Sequence, residues 1–550
     1  MGKVRIGLLV DSFQIPFWSY RLIENLNSSD FAEVVLVVKK KMTVPQRSFK
    51  EKVNDKLRYF LYEYYKRWEH KKCAASPDAF AARDLKELIS GCPLMEVECI
   101  EKKFSDFVKE EDVARIAEYK VDVLIRLGFR ILRGGILRAA KMGVWSYHHG
   151  DNFVKRGGPS GFWEFFNKEK EIGSILQILT EDLDSGDVLY RSWSTVYPTH
   201  NGTLNGFYWK TSRFIPRKLK ELHDQGEERF LEKLKSENGH LSFYSNRLYT
   251  LPDSYTFFKI LVGEFWHRLR YKIWSLFNHE QWILLYSFNN KPGPSTSIFR
   301  YKRLIPPADK FWADPCVIFD SGKYFVFLEE FLYAENKGHI SVLEIDPKGN
   351  YSESKAVLKK SYHLSYPFVF PYEGNYYMIP ESERSGNIEL YKAKNFPYEW
   401  EFKMYLMEDV TAVDTTVLLK DDKVWMFTNI VEMEGGPFHD ELFLFSADTL
   451  FTQEWKSHPC NPIVSDVKSA RSAGKLFYHN NKLYRPSQDC SVRYGYATVI
   501  NEVVTLSESE YKERKVSVIA PNWAQDIVAT HTFTFEKDLS MIDALMQKRK

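Results

Sequence analysis

The chain has 550 residues, 76 of them basic and 73 acidic, for a formal net charge of +3. That length exceeds what one core organises and predicts two or three domains, and so even a charge balance argues against a dedicated nucleic-acid binder. The aromatic fraction of 16% serves β-sheet cores and sugar stacking equally, so by itself it selects no function. Cys73, Cys92, Cys99, Cys316, Cys460 and Cys490 form no CxxC pair and have no metal-ligand spacing, which points to a reduced, cytoplasmic setting. MGKVRIGLLVDSF carries too short an apolar run for a secretory signal. Gly2 lacks the Ser or Thr that a myristoylation signal needs. No apolar run reaches the roughly 18 residues of a spanning helix.

Residues 1–215 alternate strand-like and helix-like segments. VRIGLLV and AEVVLVV flank the amphipathic FWSYRLIENLNSS, the βαβ rhythm of a Rossmann-like α/β sheet. KLRYFLYEYYKRWEHKK predicts a charged, aromatic helix within 46–90. No G-x-G-x-x-G follows the first strand, so dinucleotide binding has no support. VDVLIRLGF leads, after a short segment, to GVWSYHHGDNFVKRGGPSGFWEFF and then IGSILQILTEDLDSGDVLY. Loops with chemistry in such sheets lie beyond the carboxyl ends of the strands, where the His148 loop falls.

Residues 216–280 are expected to form a helical linker. Its second helix, over 253–277, sets Phe258, Leu261, Phe265, Leu269 and Trp274 near one face, with His267, Arg268, Arg270 and Lys272 among its polar positions. Such a helix suits peripheral contact with the inner face of an anionic membrane. Core-facing packing is the commoner use of the pattern and is the expectation here.

From residue 281 to 550 the pattern is all-β and repeats. PCVIFDSGKYFVFLE (315–329) aligns without gaps on segments beginning at 367, 415 and 474. Each is a strand, a Gly/Asp/Asn turn and an aromatic strand, which is a hairpin signature. Steps of 52, 48 and 59 residues suit four-stranded propeller blades. HTFTFEKDLSMID (531–543) gives a fifth unit, and WILLYSF (282–288) can close the ring from the other end. The expectation is a five-bladed β-propeller.

Three slots of the first region resemble the catalytic half of the 10-formyltetrahydrofolate-dependent formyltransferase family: Ser146-Tyr147-His148, Arg156-Gly157 and Leu183-Asp184-Ser185-Gly186. The family carries Asn-x-His, then Arg-Gly, then Leu-Asp-x-Gly; Ser146 stands where it has Asn. The resemblance is close over about 120–195 and fold-level before that. It implies His148 as general base, Asp184 as the carboxylate that orients it, and Ser146 in the oxyanion-donor slot. It further implies 10-formyltetrahydrofolate as donor, contacted by His149, Asp151, Arg156 and Gly157, and no metal. For Arg156 a loop-fixing ion pair is the open alternative, and Gly157-Gly158-Pro159 also reads as backbone geometry. Asp151, Asn152 and Glu164, in or just after the loop, are expected to meet the acceptor amine.

FWADPCVIFD, HLSYPFVFPYEGNYYMIPES, VDTT and RPSQDCSVRYG resemble the propeller of glucosamine inositolphosphorylceramide transferase-type proteins, itself similar to five-bladed glycosidase propellers. Repeat register puts Asp314, Tyr366 and Asp414 in one slot, and Glu329, Glu381, Asn429 and Gln488 in another. Sugar contact by Asp314, Glu329, Glu381, Asp414 and Arg471, glycosidase catalysis by a pair of these acids, and structural turn-capping all stay open. Arg485 and His531 are further partners for a glycan's anionic groups. The joint expectation is an N-formyltransferase acting on an amino sugar or glycolipid precursor held by the propeller. The alternative is a carbohydrate-binding or glycosyl-processing protein with a degenerate formyltransferase domain.

Overall fold

The computed structural model describes residues 2–549 except 42–48, 103, 183 and 241–242, so Leu183 of the LDSG turn lies outside the described residues. It contains two compact units, 1–266 with 433–437, and 267–432 with 438–550.

The first unit is built on a seven-stranded sheet in the order Val188–Thr195, Glu171–Ile178, Val144–His148, Val123–Arg126, Val4–Val10, Ala32–Lys40, Leu94–Val97. The last five of these run parallel, and Glu171–Ile178 and Val188–Thr195 add antiparallel to one edge. Period-two alternation sorts the apolar side chains between the two faces. Ile6, Leu8 and Val10 enter one core with Val37 and Ile125, while Leu9, Leu36, Val38 and Leu124 enter the other. Helix Phe17–Asn27 covers the first face with Trp18, Leu22, Ile23 and Leu26, at helical spacing. The strand order reverses at Val4–Val10, whose neighbours are Ala32–Lys40 and Val123–Arg126. Open α/β sheets place their ligands beside such a switch point.

The linker expected over 216–280 is corrected by the packing. Helices Phe214–Gln225 and Glu227–Asn238 bury Phe214, Ile215, Leu219, Leu222, Phe230 and Leu234 in the first core. Packing was also the expectation for helix Ser254–Phe277, yet Phe257 is its one buried residue among those described. Phe258 and Phe265, placed on the inward face by sequence, are exposed, because the face that docks runs through Phe257, Ile260 and Leu261. No helix among the described residues is long and apolar enough to cross a membrane.

The second unit is a five-bladed propeller. Blades one to four are four-stranded antiparallel sheets beginning with Lys310–Asp320, Ser365–Tyr372, Ala412–Lys420 and Phe477–His479. The fifth joins both ends of the unit: Asn278–Phe288 pairs antiparallel with Leu539–Arg549 along its whole length, flanked by Lys302–Leu304 and Ile527–Ala529. Closure this way leaves no inner edge unpaired. Five apolar clusters each fill the seam between two adjacent blades, for example Phe368, Ile379 and Leu390 of blade two against Val417, Val424 and Met426 of blade three.

Ile542, fully buried on the closing strand, tests how much the fifth blade holds the ring. Ile542→Ala is expected to lower stability by about 2–5 kcal/mol. Calorimetry should show the propeller's transition moving down in temperature while that of the α/β unit stays in place.

Candidate functional site

Val144–His148 pairs with Val123–Arg126 on one side and Glu171–Ile178 on the other, so its last residues project at the carboxyl end of the parallel strands. There His148 Nδ1 stands 3.4 Å from Asp184 Oδ1, both side chains about one-tenth exposed. Asp184 occupies the left-handed region, φ 51°, and a Cβ on Gly186 would sit 1.7 Å from the Ile178 carbonyl oxygen. The Asp-x-Gly pattern thus follows from backbone crowding, which only glycine tolerates. On the other side of the ring, Nε2 lies 3.1 Å from the Lys155 carbonyl oxygen. A Cβ on Gly150 would crowd Nε2 at 2.9 Å.

Several neighbours assigned to ligand contact are spent on holding the loop. Asp151 accepts from Arg191 (2.6 Å), from the Trp193 indole (3.2 Å) and from the Phe153 N–H (3.0 Å), so its carboxylate is fully engaged. Asn152 is buried; its amide donates to the Asp184 carbonyl oxygen and its oxygen accepts from Arg191. It positions the turn instead of meeting an acceptor. Glu164 is also buried, with Lys155 Nζ 3.8 Å away, and burial raises its carboxyl above the usual range. Gly157, φ 95°, pairs with Tyr249, whose carbonyl oxygen would lie 2.3 Å from any Cβ, so backbone geometry explains it.

His149 packs. Its ring stacks on Tyr208 at 3.8 Å and meets Thr211 Oγ1 at 3.2 Å, and burial depresses its pKa to about 3. A neutral imidazole in an aromatic layer is a core residue. Arg156 donates to the Asn152 carbonyl oxygen and to Ser185 Oγ and lies over the Tyr244 ring, yet it also lines an open cleft of about 730 Å³. Phe153, Tyr190, Arg191, His240 and Tyr244 line the same cleft.

Two residues of the site escaped the sequence reading. Arg126, last in its strand, donates from Nη1 to Ser146 Oγ at 3.0 Å while Nε and Nη2 are tied to the Arg130 and Phe129 carbonyl oxygens. Desolvation lowers its pKa against the pull of Asp11 and Asp184, which leaves a fixed guanidinium beside the slot where the formyltransferase family carries Asn. Gln177, register partner of Ser146, donates to Asp184 Oδ1 at 3.3 Å. Neither follows a local motif; the signal was their strand register, legible only once pairing is known.

The propeller brings together the acids that the repeat register aligned. Asp314, Tyr366 and Asp414 all take positive φ at matching bulges in their blades' first strands. Arg471 donates to Asp414 (2.6 Å) and to Glu381 (3.2 Å), and Gln488 also donates to Asp414. Burial raises the carboxyls of Glu329 and Glu381, with Asp414 and Asp314 as neighbouring negative charges. Asp543, unnoticed in the sequence, accepts the backbone N–H groups of His531, Thr532 and Asp314 and lies 2.6 Å from His531 Nδ1. Asp314, His531 and Asp543 lie close enough to share a cation, but Asp314 already accepts from Thr532 Oγ1 and the Tyr366 N–H, and Asp543 from three backbone N–H groups. Arg485, assigned to glycan anions, is instead buried against Glu513. Asn429 bonds the Glu441 carbonyl oxygen and the Ser472 N–H, sealing blades three and four.

Comparison with known proteins divides along the chain. Residues 304–529 match the family model described as glucosamine inositolphosphorylceramide transferase 1, N-terminal. The glucosamine inositolphosphorylceramide transferase 1 of Oryza sativa subsp. japonica is 33% identical over 211 residues, 38% of this chain and 28% of that protein. The chain therefore spans under a third of that relative's length. A methionyl-tRNA formyltransferase of Chlorobium chlorochromatii is 29% identical over 136 residues, 24% of this chain and 39% of that protein. By name, both relatives are transferases. Among solved structures, Zg3597, a family 117 glycoside hydrolase from Zobellia galactanivorans, is similar to 48% of this chain and 90% of its own, with a TM-score of 0.32 and 11% identity.

Burial, opposed by His531 and reinforced by Asp543 and Asp414, pushes the Asp314 carboxyl up to about 6 from 3.8. The fold prefers the proton bound, so this stabilisation is complete below 3.8 and is lost as pH rises through about 6. An Asp314→Asn variant lacks that titration. The difference in propeller Tm, wild type minus variant, is expected to fall across this window; a flat difference contradicts the assignment.

Proposed function

We propose that the first unit transfers a formyl group from 10-formyltetrahydrofolate to the amine of an amino sugar or glycolipid precursor, with the propeller holding the glycan. The observation that carries this reading is the His148–Asp184 couple, 3.4 Å apart at the carboxyl end of the sheet. The cleft behind Ser185 fits the donor's chemistry: aromatic walls for a flat heterocycle, and Arg156 for a carboxylate tail. Its volume of about 730 Å³ lies within the range of small-molecule pockets.

In this reading the acceptor amine displaces the Lys155 carbonyl oxygen from His148 Nε2 and attacks the formyl carbon. The N–H proton passes to Nε2, and Asp184 stabilises the imidazolium through Nδ1–H. The tetrahedral oxyanion is met by the Arg126 guanidinium, with the Ser146 hydroxyl beside it. A fixed cation in a dried site replaces the neutral amide of the family's Asn. Collapse breaks the bond from carbon to the folate nitrogen, which takes its proton from His148. The name of the rice relative supports a glycolipid as acceptor class.

Tetrahydrofolate release tests this directly. With nucleotide-linked and lipid-linked amino sugars, His148→Ala is expected to lose about 10²–10⁴ in kcat and Arg126→Met about 10²–10³. Ser146→Ala should cost less than Arg126→Met. Folded wild-type protein that releases none across the panel removes the reading.

Ser146 in the Asn slot favours a second reading, a glycan-binding protein with a degenerate first unit. Calorimetry separates the two, since a degenerate site has no reason to hold the folate donor.

A further inference from the structure

Helix Phe49–Lys72 docks with one face and leaves another bare. Tyr62 is buried against Phe162 and Phe257, and Ser254 Oγ donates to the Arg58 carbonyl oxygen at 2.8 Å, fixing this helix beside the start of helix Ser254–Phe277. The opposite stripe is Val53, Leu57, Phe60, Tyr64 and Trp68, stepping at helical period and all exposed, Leu57 by 68% and Phe60 by 56%. The neighbouring helix repeats the arrangement within the same unit: Tyr255, Phe258, Val262, Phe265 and Trp266 are exposed while Phe257 is buried.

Two adjacent helices with apolar stripes of this width exceed what a soluble surface carries without a partner. The charge decides which partner. Helix Phe49–Lys72 holds eight basic residues against four acidic ones, more net positive charge than the +3 of the entire chain. Lys56, Lys66, Arg67, Lys71 and Lys72 are exposed, and none has an ion-pair partner among the described residues. Phe, Tyr and Trp rimmed by unpaired Lys and Arg is the composition that seats an in-plane helix at the headgroup level of an anionic bilayer. The core of a protein–protein interface is depleted in Lys.

We infer that the exposed stripes of these two helices together form a docking surface for an anionic lipid bilayer, on which the protein lies without crossing. The inference does not depend on formyl transfer and goes beyond that reading.

Flotation of the full chain with phosphatidylcholine vesicles, with and without phosphatidylglycerol, tests it. The protein is expected to float with the anionic vesicles, to release at high salt and to stay down with phosphatidylcholine alone. Phe60→Ser with Phe265→Ser should weaken binding at least about tenfold, and Lys66→Glu with Arg67→Glu should remove the preference for anionic lipid. These side chains are exposed, so circular dichroism and Tm should not move. Wild-type protein that stays down with anionic vesicles overturns the inference, as do serine variants that float like wild type. Light scattering that shows a dimer dissociated by the same serine substitutions overturns it in favour of self-association.

Discussion

The approach of Asp184 to His148 depends on backbone more than on the attraction between them. The carboxylate is delivered by a turn in which Asp184 is left-handed and Gly186 presses on the Ile178 carbonyl oxygen, and the imidazole by the last residue of a strand paired on both sides. Asn152 binds the carbonyl oxygen of Asp184, Gln177 its carboxylate, and Arg191 holds Asn152 and Asp151 together. Each brace acts on an element already fixed by sheet register. The couple is preorganised, which is the condition for an orienting carboxylate to contribute to rate and not only to stability.

The propeller axis shows the same residue types under the opposite constraint. Its carboxylates face one another, so burial raises Glu329 and Glu381, while Arg471 bridges Asp414 and Glu381. His531 lies between Asp314 and Asp543. These contacts join blade one to blade five, and blade four to blades two and three. A buried network of paired charges of this kind specifies one closure of the ring. Glycosidase catalysis needs an acid and a base free to exchange protons with a substrate, and Asp414 is already committed to Arg471.

The elements that repeat or alternate were legible in the sequence. Period two located the central strands of the sheet, and the gapless alignment of 315–329 with three later segments located the blades. The closing pair, WILLYSF with the last strand, followed from the need to complete a ring. What was not legible depends on where one element's side chains meet another's. His148 ends its strand and His149 begins the turn after it, and the two rings part, one toward Asp184 and one into an aromatic layer. Asp151 looked like a ligand because its partners, Arg191 and Trp193, are forty residues on and two strands away. Arg126 sat inside a hydrophobic run, and its meaning came from its pairing with Ser146.

Amphipathicity carries the same ambiguity one level up. The sequence of 253–277 shows that one side is apolar but not what covers it, and its aromatic content is high enough that two faces qualify. The structure docks the narrower of these, through Phe257 and Leu261, and leaves the wider one open. That it stays open on both neighbouring helices, beside unpaired basic side chains, means the folded unit has kept apolar surface that its own core could have taken. A fold that does so retains a driving force for association.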